Sequence, residues 1–351
     1  MATYDAVSEL SLELESFVLE RREQHVSTDF TRVTTVVRLR GGGEEGVGED
    51  VTYGVEEQDG FQAEGPELPL AGSHTIDSFS QLVGRLELFP RKPQMTAFYD
   101  YRRWAFESAA LDLALRQAGQ SLAEVVEREP RPVRFVVSMG LGDPPSTARV
   151  RGWLGLYPGL EFKLDPRSSW DGELVAELAR LGAVESVDLK GQYVGTIVDQ
   201  PPDPQLYRLV AEGFPQAFIE DPALTEETDP ILEPHRDRIT WDAIIHSVDD
   251  IASLPFPPRT INIKPSRFGS VRQLFETYDY CDDNGIRPYG GGQFELGPGR
   301  GQIQYLASLF HPDAPNDVAP GAFNLPDPRP GLPTSPLAPA LEPTGFRWAG
   351  D

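Results

Sequence analysis

A chain of 351 residues with 39% hydrophobic and 25% charged residues has core material for one large domain and a smaller companion. Its net charge of −24 repels nucleic acid phosphates and anionic membranes, leaving small ligands held at a local cationic site. The single cysteine, Cys281, excludes an intrachain disulfide and a thiolate cluster. No apolar run reaches the roughly 18 residues of a membrane span, and the acidic start MATYDAVSELSLELES is unlike a secretory leader, so a cytoplasmic setting is expected. In chain order, the alternating SELSLELESFVLER and the β-branched TRVTTVVRLR predict strands of a three-stranded antiparallel sheet. Residues 22–30 and the glycine-rich GGGEEGVGEDVTYG predict loops around it. RRWAFESAALDLALRQAG predicts a helix whose Leu111, Ala114, Leu115 and Ala118 form one apolar stripe ending at Gly119.

From about residue 133 short apolar runs alternate with helical segments, the pattern of a parallel sheet. The runs are RFVVSMGL (134–141), LEFKLDP (160–166), ESVDLKG (185–191), QAFIEDP (216–222), RITWDA (238–243), TINIKP (260–265), GIRPYGG (285–291) and DVAPGAF (317–323). Eight runs predict an α/β fold with a modified (β/α)8 TIM-type barrel over 133–325, behind an N-terminal α+β capping domain over 1–132. The proline-rich 326–351 predicts a tail that returns towards the cap.

Of 31 basic residues only four are lysine, Lys92, Lys163, Lys190 and Lys264, and three of these stand in strand-like segments. An arginine-rich chain that retains lysine there points to a compact ammonium used in chemistry. At the C-terminal strand ends, where such barrels carry their sites, stand Lys163 and Asp165, Asp188 and Lys190, Glu220, Asp242 and Lys264. Asp188, Glu220 and Asp242, one carboxylate from each of three successive strands, would converge as the hard oxygen ligands that Mg2+ prefers. Each acid could instead cap a helix or pair with an arginine, and Lys163 and Lys264 could serve as structural ion-pair partners. The five histidines show no metal-ligand spacing; His246, close after the fifth strand, is a weak site candidate.

Asp188 in VDLKGQY, Glu220 in FIEDP, Asp242 in ITWDA and Lys264 in INIKPSRFG together resemble the enolase superfamily, in its muconate-lactonizing and o-succinylbenzoate synthase-like branch. WAFESAALDLALRQAG and FELGPGRGQIQYLAS extend the resemblance over nearly the whole chain. It implies Mg2+, with Mn2+ as a substitute, on Asp188, Glu220 and Asp242. It further implies a metal-stabilised enediolate formed by loss of an α-proton from a small carboxylate substrate, and lysine as base: Lys264, with Lys163 and Lys190 as further candidates. Glu295 corresponds to a substrate-contacting glutamate, and by the same analogy loops around Thr28 to Phe30 and Val51 to Gly54 close the site, with Tyr53 as a contact. Self-association into a homo-oligomer is compatible with this resemblance. The sequence departs from the branch on three strands: Asp165 stands where a second lysine is usual, Lys190 where an asparagine is usual, and Ala243 where an acidic residue often follows the ligand. An Asp165–Lys190 pair, or a base transplanted to Lys190, is expected. The alternative function is a degenerate barrel that binds a carboxylate or a partner protein without turnover.

Overall fold

The computed structural model describes residues 2–27, 30–64, 67–196 and 198–348. In the N-terminal part, Ser16–Ser27, Phe30–Gly41 and Glu44–Asp50 form an antiparallel meander, and the helix Ala97–Ala118 lies across it. The strands run through most of the segment expected to be loop at 22–30, while Thr28 and Asp29 lie outside the described residues. The glycine-rich segment is a strand over Glu44–Asp50, after a two-residue turn at Gly42 and Gly43, and is irregular, as expected, only over residues 51–54. Its glycines serve packing: a Cβ on Gly46 or Gly48 would lie 2.2 Å from the Ala109 carbonyl oxygen or 2.1 Å from that of Ala105. Glycine there lets the helix backbone rest on the sheet.

The helix is buried on almost every side between Trp104 and Leu115 and ends at Gly119 in the left-handed conformation. Of the expected stripe, Leu111, Ala114 and Leu115 are buried and Ala118 is exposed. One side of the helix meets the sheet, and another meets the short turn Pro265–Phe268 of the C-terminal part.

That part carries seven parallel strands among the described residues: Val136–Met139, Glu161–Leu164, Val184–Asp188, Phe218–Glu220, Ile239–Thr240, Thr260–Ile263 and Arg287–Gly290. The first five pair in order, and the last two pair with each other. Asn262 N–H donates to the Trp241 carbonyl (2.9 Å), joining fifth to sixth. The eighth run provides only single bridges, Asn316 to Phe135 and Asp317 to Gly291, before a 3-10 turn at Gly321–Asn324. The expected strand over 317–323 is therefore cut short, because Pro315 and Pro320 bracket the bridge and supply no N–H to a ladder. These two bridges still close the barrel, so the fold is a (β/α) barrel with an α+β cap.

Cap and barrel are bonded together near the barrel mouth. The Glu49 carboxylate accepts N–H groups of Leu296, Gly297 and Gly299 at the N-terminus of the helix Pro298–Phe310. The buried Arg32 guanidinium donates to the carbonyls of Gln293 (2.9 Å) and Phe294 (3.1 Å). The tail pairs Leu337 with Val133 and Gly345 with Ser121, and Arg347 reaches Asp112 of the cap helix at 2.7 Å. No described helix is long and apolar enough to cross a membrane.

Candidate active site

Asp188 and Glu220 end the third and fourth strands, Asp242 stands two residues beyond the fifth, and Lys264 follows the sixth. The three acids are fully buried, and each offers an oxygen within 4.8 Å of the others. The fifth strand stops at Thr240 because the Asp221 carboxylate takes the N–H groups of Asp242 and Ala243, both at 2.8 Å. This turn aims Asp242 inward. Lys163, on the second strand, donates to Glu220 and lies 3.1 Å from Asp188. At the other end Lys264 Nζ donates to Asp242 Oδ2 (2.8 Å). Three of the four lysines thus meet at one cluster, while Lys92 is exposed.

Burial disfavours charge on each acid, and the neighbouring cations decide the outcome. Burial opposes ionisation of Asp242, yet Arg267 and Lys264 outweigh it and hold the carboxyl well below its usual range. Lys190 and Lys163 outweigh burial at Asp188 in the same way. At Glu220 burial wins over Lys163 and, with the charges of Asp188 and Asp242, pushes the carboxyl up to about 8. Asp221 is pushed up to about 7 by burial and the same two carboxylates. The ammonium of Lys163, although buried, is held above its ordinary value by Glu220 and Asp188.

Several contributors lay outside the sequence expectation. Arg267 Nη1 donates to Asp242 Oδ1 (2.7 Å) and Nη2 to the Tyr193 hydroxyl (2.9 Å), which itself donates to Asp242 Oδ2 (2.9 Å). Tyr289 donates to Glu220 Oε2 (2.6 Å), and Asp317 lies 3.6 Å from Lys163. Asn262, two residues before Lys264 and so on the same strand face, approaches Glu220 at 3.4 Å. That alternation was a readable signal, and so was Tyr289 at the end of its run. Arg267 and Tyr193 sit in turns, where sequence periodicity gives no direction.

The second and third strands hold two of the three departures. Lys190 Nζ donates to Asp188 Oδ2 and lies 3.3 Å from Asp165 Oδ1, so Asp165, Lys190 and Asp188 form one chain of charges. Pleating is not the reason. The third strand ends at Asp188, and Lys190 takes a left-handed φ of 56° that curls the chain back over that acid. Glu295 is buried, 2.9 Å from Arg300, and accepts the Gln293 N–H at 2.5 Å. A Cβ on Gly292 would lie 2.6 Å from Glu295 Oε2, and one on Gly291 would lie 2.6 Å from Lys264 Cε. Glu295 and Lys264 therefore cross consecutive glycines at the barrel mouth. Tyr53, partly exposed, stacks over Arg32 and donates to Gln293 Oε1 at 3.3 Å; the Gln293 amide donates to the Tyr101 hydroxyl at 3.0 Å. His246 touches the carbonyls of Ala243 and Arg267 and stands beside the acids without joining them.

The donors at the acidic cluster are all carboxylate oxygens, the hard set suited to a divalent cation. Glu220, whose ionisation the buried carboxylates oppose, is the group a cation would most favour in charged form. Asp188, Glu220 and Asp242 thus fit a divalent ion and are the residues that would hold it.

Residues 5–125 and 129–325 match the N-terminal and C-terminal domains of the family described as "Domain of unknown function (DUF8230)". An o-succinylbenzoate synthase of Enterococcus faecalis is 27% identical over 61% of the chain and 59% of its own length. An N-succinylamino acid racemase of Amycolatopsis is 31% identical over 67% of the chain and 64% of its own length. The matched segment spans less than two thirds of either relative. Among solved structures, an unknown member of the enolase superfamily from Enterococcus faecalis V583 superposes with a TM-score of 0.65 at 20% identity, covering 89% of this chain and 87% of that one. With these matches the chain belongs to the DUF8230 family, is similar in sequence to an o-succinylbenzoate synthase and an N-succinylamino acid racemase, and shares the fold of a solved enolase-superfamily structure.

Proposed function

We propose that this protein is a Mg2+-dependent enzyme, a lyase or isomerase, that removes the α-proton of a small carboxylate substrate with Lys264 as the principal base. Asp188, Glu220 and Asp242 hold the cation in this reading, and Mn2+ can replace Mg2+. When bound, the cation supplies Lewis-acid stabilisation of the charge that develops on the substrate carboxylate. The carrying observation is the 2.8 Å contact of Lys264 Nζ with Asp242, which places an amine beside one of the three cluster carboxylates.

Lys264 takes the proton at Nζ, and Gly291 leaves room for its stem. Arg267 and Tyr193 hold Asp242 in place, Tyr289 and Lys163 hold Glu220, and Glu295 and Tyr53 face the substrate. Lys163 and Lys190 are each ion-paired with at least two carboxylates, whereas Lys264 meets Asp242 alone among the described residues, which favours one-base elimination over epimerisation. The same reading divides the chain into a cap (1–132), a catalytic barrel (133–325) and a returning tail (326–351).

The names of the two relatives described above are both built on succinyl carboxylates, so N-succinylamino acids head the panel of candidate substrates. The test is deuterium incorporation at the α-carbon in D2O over that panel, with excess Mg2+ and with chelator. Mg2+-dependent exchange is expected. Exchange untouched by chelator would contradict the cation's role. Binding of panel members with no exchange at any of them would favour the second reading, a carboxylate-binding barrel without turnover, for which Asp165 in place of a lysine is the observation.

A further inference from the structure

Lys190 engages Asp188 twice: its backbone N–H donates to Oδ1 at 3.1 Å and its ammonium to Oδ2. Both contacts follow from the left-handed turn at Lys190, a conformation unfavourable for a residue with a Cβ and so one the surroundings enforce. Gly191 follows because a Cβ there would lie 2.4 Å from the Ala223 nitrogen. The far side of the same ammonium faces Asp165 Oδ1 at 3.3 Å, outside good hydrogen-bond geometry, and among the described residues that oxygen has no hydrogen-bond partner. A single ammonium is therefore shared between a carboxylate of the acidic cluster and a carboxylate one strand away.

We propose that Lys190 competes with a divalent cation for Asp188, and that Asp165 is a positioning residue that draws the ammonium away and so sets the cation affinity of the site. The proposal rests on the reading of Asp188, Glu220 and Asp242 as cation ligands. It follows from charge and reach. An ammonium in contact with one ligand oxygen repels a second cation at that oxygen, and in a partly buried site this repulsion is far from screened. Asp165 gives the flexible lysine stem an alternative partner within its reach, on the side away from the cluster. Without Asp165, the ammonium has only Asp188 to pair with. The exchange of charge types between the two strands then has a function: the pair regulates ion binding, and neither member needs to move a proton.

The experiment is Mn2+ binding by calorimetry at pH 8, with the full-length protein and four variants: Lys190→Met, Asp165→Asn, the double variant and Asp165→Glu. Lys190→Met should tighten Mn2+ about tenfold or more, the scale of one unit charge removed beside a ligand. Asp165→Asn should weaken it about tenfold in the native background and by less than about threefold in the Lys190→Met background, since its effect passes through Lys190. Asp165→Glu, which retains the charge, should restore native affinity, whereas a structural role for Asp165 would leave both substitutions impaired. Equal fold-changes for Asp165→Asn in the two backgrounds would overturn the proposal and leave the ligand assignment standing. Absence of Mn2+ binding in every protein would overturn both. Lys190→Gln deletes the same charge and replaces Lys190→Met in the cycle if that variant does not fold.

Discussion

Lys264 crosses the chain at Gly291, where a methyl group would sit 2.6 Å from both its Cε and Asn262 Oδ1. That clearance ties one glycine to the placement of the amine. A Gly291→Ala variant should therefore fold with a loss of about 1–3 kcal/mol, the usual cost of overpacking. Its α-exchange should fall about 100-fold, the scale of displacing a reacting group by about 1 Å. Unchanged exchange in that variant would show that Lys264 tolerates a displaced stem. At this scale the clustering of side chains was legible where a rare residue type takes part: lysine scarcity picked out Lys163, Lys190 and Lys264, and apolar runs ending in acids picked out Asp188, Glu220 and Asp242, and these meet at the barrel mouth. Arg267 was not legible, because arginine is common in this chain and the residue acts from a four-residue helical turn. Lys190 was read onto the correct neighbours by a pleating argument, although a left-handed residue brings it there.

At the level of elements, the eighth barrel segment depends on side chains more than on a ladder. Asn316 Nδ2 donates to carbonyls of Arg134, His311 and Ala314, so its Oδ1 is the acceptor facing His311 Nδ1 and Gly290 N–H, both at 2.6 Å. Nδ1 of His311 therefore carries the proton, and Nε2 accepts from the Tyr278 hydroxyl at 3.1 Å. Burial pushes His311 down to about 4 despite the Asn316 bond. The folded form thus binds the imidazole neutral while the unfolded chain takes up a proton near its ordinary value of 6.5. Its contribution is complete above about pH 6.5 and is lost as pH falls through the interval down to about 4, amounting to roughly 3 kcal/mol at most. Urea midpoints of wild type and His311→Gln, compared at pH 7, 5 and 4, should converge as pH falls. A constant gap would show that His311 titrates alike in both states. The eighth strand was misjudged in length because DVAPGAF was weighed by its apolar residues and not by its prolines. The cap strand Glu44–Asp50 was missed because its glycines read as a turn, when they mark a helix lying on the sheet.

For the whole molecule, the alternation of short apolar runs and helical segments was enough to give the barrel, since each run had only to supply a few residues between crossovers. How the cap meets the barrel was not legible: Arg32 and Glu49 act through backbone groups of residues 293–299, and such contacts leave no periodic trace. Because the acidic cluster joins three strands, cation binding should stabilise the whole fold. Mg2+ at about 100 times its dissociation constant should add about 2.7 kcal/mol, visible as a higher melting temperature than in chelator. Identical melting temperatures in excess Mg2+ and in chelator would contradict a resident cation. The most direct test of the account is the rate of α-deuterium incorporation into a panel substrate by Mg2+-loaded wild type and by Lys264→Met. The folded variant should lose exchange while its melting temperature still responds to Mg2+; wild-type exchange in that variant would contradict Lys264 as the base.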